Sequence, residues 1–340
     1  MTTGFHEIKV KGKKIKVPTI CINNRTIIVT GKFIRIAAVH DEDWHEGQVV
    51  EIPEAFIEKL KQSRLKADVF TFAQKIPDIK PLYKYHMEWD NAAAIPILSF
   101  QEWWERVSTT MRKDIKRAAK REVITKVVDF DDKLVQGIME IHNETMIRQG
   151  RHFAHYGKDF HTVKSEYSTY LDRSEFIAAY YKSELIGVIK MVYVGDLACM
   201  MQILSKTKHY DKRPTNALIA KAIEICEKKG KSYLTYGRLS YGKKAKSSLI
   251  DFKRRNGFEQ ILFPRYYIPL TLKGRISIML KLHRGLRGIL PGNLIFLLLG
   301  LRSFFRQRIR HRSKLPRRLD AFDQVDDTKD ERAEASPGSL

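Results

Sequence analysis

Thirty residues near the middle of the chain, Phe176 to Ser205, constrain the fold more than any others. They read FIAAYY, a Lys-Ser-Glu turn, LIGVIKMVYV, a Gly195-Asp196 turn, and LACMMQILS. Turns this short can only join neighbouring antiparallel strands, because a parallel pairing needs a long crossover. A strand triplet is therefore expected here. The next element differs in kind. Pro214 stands where the first turn of a helix tolerates it, and Leu218, Ile219, Ala222, Ile223 and Cys226 form an apolar stripe that ends at Gly230. Ser232–Tyr236 then reads as a short strand, Ser247–Arg255 as a helix and Gln260–Leu270 as a last strand.

Upstream, residues 7–39 alternate apolar and polar, with Lys11-Gly12 and Asn23-Asn24 placed where hairpin turns need positive φ, so a β meander is predicted. Pro53–Arg64 reads as a short helix, and Asp68–Ala73 and Leu82–Trp89 as strands. Ser99-Phe100-Gln101-Glu102 has the spacing of a capping box. From there Phe100, Trp103, Trp104, Val107, Met111, Ile115 and Ala118 recur at helical steps. Arg106, Arg112, Lys113, Lys116, Arg117, Lys120 and Arg121 fill the remaining positions, so one face is apolar and the other is a cationic ridge. Asp131–Gln149 is a second predicted helix, followed by a His-rich stretch. His152 and His155 lie three apart, but no cysteine or carboxylate completes a ligand pattern, and no metal is expected there.

Charge narrows the partners. The whole chain carries a formal +23, yet the last 21 residues hold seven acids against two bases, a local −5, which leaves about +28 on the rest. Such a field attracts phosphate-rich partners: nucleic acid, anionic lipid or phosphorylated donors. Ile289–Leu301 is almost free of polar groups but, at thirteen residues interrupted by Pro291-Gly292, too short to span a bilayer. Arg284 and Arg287 precede it, and eight bases from Arg302 to Arg318 come after it. An apolar wedge in a cationic collar suits the face of an anionic membrane; the alternative is a helix packed on the core with a basic extension. The tail after Leu319 has few apolar anchors and is expected to be disordered. Cys21, Cys199 and Cys226 form no Cys-x-x-Cys pair, which points to a reducing compartment, and the start lacks the pattern of a secretory signal. The expected location is cytoplasmic, peripheral on the inner face of the cell membrane.

A helix that begins directly after a strand presents free N–H groups to an anion. Lys206–Asn216 is such a junction, with Lys208, Lys212, Arg213 and Asn216 as its candidate phosphate-binding residues, the donor-binding set if the chain is a transferase. With these elements in order, the chain resembles the GNAT superfamily, and within it the FemAB-like branch. Met111–Ala118 looks like the family's Arg-x-x-Ile-Arg/Lys-x-Ala helix, Glu184-Leu-Ile-Gly-Val-Ile like its hairpin, Arg213–Leu218 like its donor-side helix, and Asp251-Phe252-Lys253 to Gly257-Phe258 like its closing Phe-Lys-x-x-x-Gly segment. The likeness covers residues 97–270.

The resemblance implies an α+β fold: a GNAT-like mixed, mostly antiparallel sheet flanked by helices. Its division would be a smaller, partly GNAT-like N-terminal unit (1–97), an acyltransferase domain (98–270), a basic hydrophobic membrane-associating segment (271–318) and an acidic tail (319–340). It also implies direct transfer of an acyl or aminoacyl group to an amine of a glycan or peptide precursor of the cell envelope. The donor would be an acyl-coenzyme A or an aminoacyl-tRNA; no metal and no specific protein partner are implied. The junction has no glycine to wrap a pyrophosphate, and Gln202 stands in the strand that often carries a glutamate base. Tyr236, Tyr241 and His155 are therefore the candidate catalysts, with Lys253, Arg112 and Lys116 for acceptor or phosphate binding. The competing reading is a non-enzymatic basic protein on the same scaffold that binds nucleic acid or membrane, although no nucleic-acid-reading motif is present.

Overall fold

The computed structural model describes residues 3–10, 13–40, 50–148, 150–240 and 248–284. The N-terminal meander is β1 (Thr3–Val10), β2 (Lys13–Ile22), β3 (Arg25–Thr30) and β4 (Ile36–Val39). Asn23 and Asn24 take φ of 50° and 58° in the β2–β3 turn, a region asparagine tolerates through local side-chain bonding. Helix α1 (Pro53–Gln62) then carries the chain to β5 (Val69–Ala73), which lies parallel to β4.

The next strand, β6 (His86–Pro96), is longer and later than the sequence predicts. Asp90-Asn91-Ala92-Ala93-Ala94 has little β-propensity, yet its three alanines are fully buried, and pairing on both edges overrides the local preference. The single helix predicted from Ser99 is two, α2 (Phe100–Arg106) and α3 (Thr109–Lys120). Ser99 caps α2, accepting from the Glu102 N–H at 3.0 Å. Ser108 breaks the run because its backbone is extended (ψ 148°) while its hydroxyl accepts from Met111 N–H at 3.1 Å.

After the edge strand β7 (Ile124–Val128), α4 (Asp132–Asn143) stops short of the predicted Gln149. Ile147 onward instead forms a two-stranded ribbon of β8 (Ile147–Arg148) and β9 (Arg151–His152), succeeded by α5 (Phe160–Tyr167). The strand triplet is present as β10 (Ser174–Tyr181), β11 (Glu184–Val194) and β12 (Leu197–Ser205). Helix α6 (Pro214–Lys228), β13 (Tyr233–Thr235), α7 (Ser248–Arg255), β14 (Glu259–Pro269) and α8 (Leu272–Met279) complete the described chain.

Twelve strands make one sheet in the order β1-β2-β3-β4-β5-β14-β6-β13-β12-β11-β10-β7. One arrangement occurs twice. A meander, β2-β3-β4 or β10-β11-β12, leads into a crossover helix, α1 or α6, and then into a strand parallel to the meander's last. The two sets meet at the antiparallel pair β14 and β6, which hydrogen-bond outward to β5 and β13. Helix α6 covers one face of β10–β12, where Leu218, Ile219 and Ile223 are fully buried at about 1.5–3 kcal/mol each. Helices α4 and α5 cover the opposite face through Val135, Ile138, Ile141 and Val163.

Helix α8 packs against β14, and Gly274 is what lets it approach: a Cβ there would lie 1.8 Å from the Asp68 carbonyl oxygen. Residues 271–284 are the described part of the segment read as membrane-associating, and in it α8 rests on the sheet with Ile278 buried. The apolar run Ile289–Leu301, its collar of bases and the acidic tail lie outside the described residues. No helix among the described residues is long and apolar enough to cross a membrane. Cys21, Cys199 and Cys226 are all free thiols.

Candidate active site

The sheet is split near its middle. Parallel β12 and β13 pair over only three residues, Leu197 with Tyr233, Ala198 with Leu234 and Cys199 with Thr235. Beyond Cys199, β12 continues to Ser205 with β11 as its one strand partner among the described residues. Its register slips between Met200 and Gln202, so Met201 is an extra residue, and a bulge of this kind bends the strand and interrupts its ladder.

The other prong is held to β6. Tyr236 N–H donates to the Ala93 carbonyl at 2.9 Å, and Ala93 N–H donates to the Gly237 carbonyl at 2.8 Å. Asn91 then clamps the next turn, its Oδ1 accepting from Leu239 N–H (3.0 Å) and Ser240 N–H (2.9 Å). Asp90 bonds both Arg238 and Arg265 at 2.9 Å. Burial works against ionising Asp90, but the two guanidinium groups outweigh it and hold its carboxyl below the ordinary range. One prong runs along β11 and the other along β6, so a fork opens between them.

The mouth of the fork carries the N-terminus of α6. Ser205 Oγ and Thr215 Oγ1 are 3.0 Å apart, which ties the strand end to the first helical turn. Arg213 caps that turn in the left-handed region (φ 58°) and pairs with Asp114 of α3 at 3.1 Å. Asn216 Nδ2 reaches Met111 Sδ at 2.9 Å. Lys212 Nζ stands 4.6 Å from the Tyr181 ring centre. Lys208 bonds Glu184 at 2.7 Å, and so does Lys206, while His209 reaches the same carboxylate at 3.0 Å. Burial would raise the Glu184 carboxyl; the hydrogen bonds from Lys206, Lys208 and His209 reverse that and bring it to about 2. The four donor-side candidates thus share one loop-to-helix junction, Lys208 and Lys212 before the Arg213 cap and Asn216 in the first turn of α6, and each already has a protein contact.

Glu144, at the end of α4, bears directly on that loop. Its carboxylate accepts from Thr207 N–H at 2.6 Å, Thr207 Oγ1 at 2.8 Å and Lys208 N–H at 2.8 Å. A side-chain anion therefore occupies two backbone donors at the start of the junction, ahead of the first turn of α6 at Pro214. That does not fit a pyrophosphate wrapped by the loop backbone of Thr207 and Lys208.

Lys253 and Tyr236 come together behind the β13 prong. Lys253 is fully buried, donates to the Arg238 carbonyl at 2.7 Å, and sits 4.6 Å from the Tyr236 ring centre. Arg254 and Arg255, by contrast, are exposed. Gly257 ends α7 at φ +90°, and a Cβ there would meet Trp103 Nε1 at 3.0 Å and Val107 Cγ1 at 3.1 Å. Tyr241 lies outside the described residues.

His155 is set back from the fork. It is buried, 2.9 Å from Lys158 Nζ and 4.8 Å, ring to ring, from His142. Phe153 packs beside it at a tilt of 47°, and Arg148 lies over Phe153 while donating to the Ser205 carbonyl at 3.2 Å. Arg112 closes the end of α2 through the Trp104 carbonyl at 3.4 Å. Lys116 belongs to a shallow concavity of about 500 Å³ on α3, lined with Lys113, Arg117, Lys120 and Arg121. Arg121 pairs with Asp211 of the Lys206–Arg213 loop, so this cationic face borders the mouth of the fork.

Glu144, Asp90 and Asn91 escape sequence reasoning. Glu144 is 63 residues from Thr207 and matches no motif. Asp90-Asn91 carries a faint signal, two polar residues heading an alanine run.

No protein-family model matches the sequence, and neither does any curated protein. Solved structures do resemble the fold. FemX superposes with a TM-score of 0.53 at 10% identity, covering 82% of this chain and 91% of that one. L-PGS from Bacillus licheniformis gives a TM-score of 0.50 at 10% identity, covering 77% and 87%. The architecture is GNAT-like: a large, mostly antiparallel sheet with flanking helices. Its similarity to FemX and L-PGS runs over most of both chains and concerns the fold.

Proposed function

We propose that the chain is an N-acyltransferase of the GNAT/FemAB-like type, passing an acyl or aminoacyl group to an amine of a cell-envelope or polysaccharide precursor. The observation that carries this reading is the fork. β12 and β13 part after Cys199 and Thr235, beside a bulge at Met201 and beneath the N-terminus of α6. Direct transfer needs a slot for the donor's carbonyl, a fixed backbone N–H for the oxygen that gains charge, and access for an amine from the far side. The edge of β12 beyond Cys199, which pairs with no second strand among the described residues, is suited to the first two.

In this scheme the amine nitrogen attacks the donor carbonyl, and the backbone edge of β12 near Met201 holds the oxyanion. The tetrahedral intermediate collapses by breaking the bond to the leaving oxygen or sulfur, which takes a proton from an acid while the nitrogen gives up its own to a base. Tyr236 is the proposed acid at the β13 prong, with Tyr241 as the second candidate. Lys253 fixes the Arg238 carbonyl and the Tyr236 ring, and we assign it to the acceptor side with Arg112 and Lys116. We assign His155 to accept the amine's proton, relayed by water because the ring is set back from the fork. Lys208, Lys212, Arg213 and Asn216 form the donor-side rim.

Between the two donors, Glu144 and the absence of glycine argue against a coenzyme A pyrophosphate wrapped by the loop. The cationic face of α3 beside the mouth suits a longer polyanion, and an aminoacyl group borne on tRNA is the donor we favour. We place the protein in the cytoplasm, at the inner membrane face, on the strength of its charge and the collared segment after residue 284. The cationic face also favours a second reading, binding of nucleic acid or membrane without chemistry.

The test uses the full chain, mixed aminoacyl-tRNAs or acyl-coenzyme A thioesters, and amine-bearing envelope precursors. We expect aminoacyl release that requires the amine and falls about 100-fold in Tyr236→Phe, the scale of one lost acid. Salt-sensitive tRNA binding with no release from either donor would establish the second reading instead.

A further inference from the structure

Far from the fork, three side chains converge that no sequence spacing connects. His86 and Glu88 alternate along β6 onto one face of the strand, and His283 arrives from the turn Leu282–Arg284 that comes after α8. His283 Nε2 lies 2.8 Å from Glu88 Oε1, and His86 Nε2 lies 3.5 Å from the same oxygen. All three ligand atoms fall within 4.8 Å of one another. Tetrahedral zinc with bonds near 2.0–2.1 Å sets its ligand atoms about 3.3 Å apart, so the observed separations bracket what an ion requires. The small adjustment falls on His86, whose side chain is 45% exposed and able to turn.

The surroundings are those of a held ligand set. The His283 side chain is fully buried and its ring lies 4.5 Å from that of Tyr267. Its other nitrogen faces the Ser277 carbonyl oxygen at 3.5 Å, the kind of partner that orients a metal-binding imidazole. Arg284 reaches both oxygens of Glu88, Nε at 3.0 Å from each and Nη2 at 2.9 Å from Oε1, so an ion at Oε1 must displace the guanidinium from that oxygen and leave it on Oε2. Two histidines and a carboxylate leave a fourth position for water, on the open side of His86.

We propose that His86, Glu88 and His283 bind one zinc ion, which ties the start of the C-terminal segment to the central strand β6. The role is structural. Glu88 is six residues along β6 from Ala94, which pairs with Thr235 beside the fork, and six residues of strand span about 20 Å. The proposal does not depend on the transferase reading.

The experiment uses the untagged full chain, stripped with a chelator, equilibrated with zinc and then dialysed. Retained zinc is counted by mass spectrometry, and cobalt(II) in its place is followed by visible absorption. One ion per chain, a tetrahedral cobalt spectrum and a melting temperature that falls on chelation are expected. His86→Ala, at an exposed position that leaves the fold intact, is expected to lose retention, as is His283→Ala. Arg284→Ala is expected to weaken binding by no more than about 10- to 100-fold, as an outer partner does. His152→Ala is expected to retain the full ion. Zinc well below one per chain in the unaltered protein, or equal zinc in His86→Ala, would overturn the proposal and leave Glu88 as an ion-pair hub for His283 and Arg284.

Discussion

His142 is held neutral in the fold, and stability must depend on pH as a result. Its ring is fully buried 3.4 Å from the Tyr167 hydroxyl, and no hydrogen bond reaches its Nδ1 among the described residues. Burial above all, then the charges of Lys158 and Arg148, push the imidazole from 6.5 down to about 3. In the unfolded chain it takes a proton as pH drops below about 6.5; in the folded chain it does not. Because the folded pKa is the lower one, the folded state has its full advantage above 6.5 and loses it steadily as pH falls from 6.5 toward 3. Each pH unit in that window costs about 1.4 kcal/mol, so about 2 kcal/mol is gone by pH 5. Against a typical stability of about 5–15 kcal/mol, that is readily measured. The depressed carboxyls of Glu184, Glu144 and Glu88 act below their ordinary value of 4.5, and that of Asp90 below 3.8, which leaves the window from 6.5 to 5 to the imidazole. The perturbation is His142→Gln, which keeps a polar tip near Tyr167 and cannot titrate. Urea unfolding at pH 7.5, 6.5, 5.5 and 5.0 should give a wild-type curve that drops about 2 kcal/mol further than the variant's. Parallel curves would refute the argument.

Other substitutions have equally definite outcomes. Gly257→Ala forces a side chain into φ +90° against Trp103 and Val107, and should cost at least about 2 kcal/mol in denaturant melts. Lys253→Met leaves the Arg238 carbonyl without its 2.7 Å donor, for a loss of about 1–3 kcal/mol, and should raise KM for the amine because the wall of the fork loosens. Replacing Lys113, Lys116, Arg117 and Lys120 with Gln should flatten the dependence of tRNA affinity on log salt by about 0.7–0.9 per phosphate contact removed, with melting unchanged.

The sequence makes some of this legible because the information is local. The β10–β12 triplet is set by turn length, and α6 by a proline at its start and an apolar stripe. The Phe-Lys-x-x-x-Gly segment is local too, and the structure separates its buried Lys253 from the exposed Arg254 and Arg255. The central strand is legible only in part, since Ala92–Ala94 are strand because of their neighbours and not their type. The division of α2 from α3 turns on Ser108, whose capping bond competes with continued helix and leaves the apolar spacing unbroken. Least legible are the groups that meet across the fold. Glu144 on Thr207 and Lys208, and His283 on Glu88, are joined only by tertiary packing over 63 and 195 residues. Charge obeys the same logic: a basic loop at a helix start reads as a phosphate site until its own carboxylates are placed.

The central claim is that the fork between β12 and β13 is where the donor enters. Backbone amide exchange, measured peptide by peptide, tests it most directly, using a non-hydrolysable amide-linked aminoacyl-tRNA analogue in one arm and coenzyme A in another. Binding should slow exchange at Met201–Ser205 and at Tyr236–Ser240, the two prongs, while β5 and α1 stay unchanged. Saturable binding that protects only α3, or leaves both prongs exchanging as in the free protein, would contradict the claim.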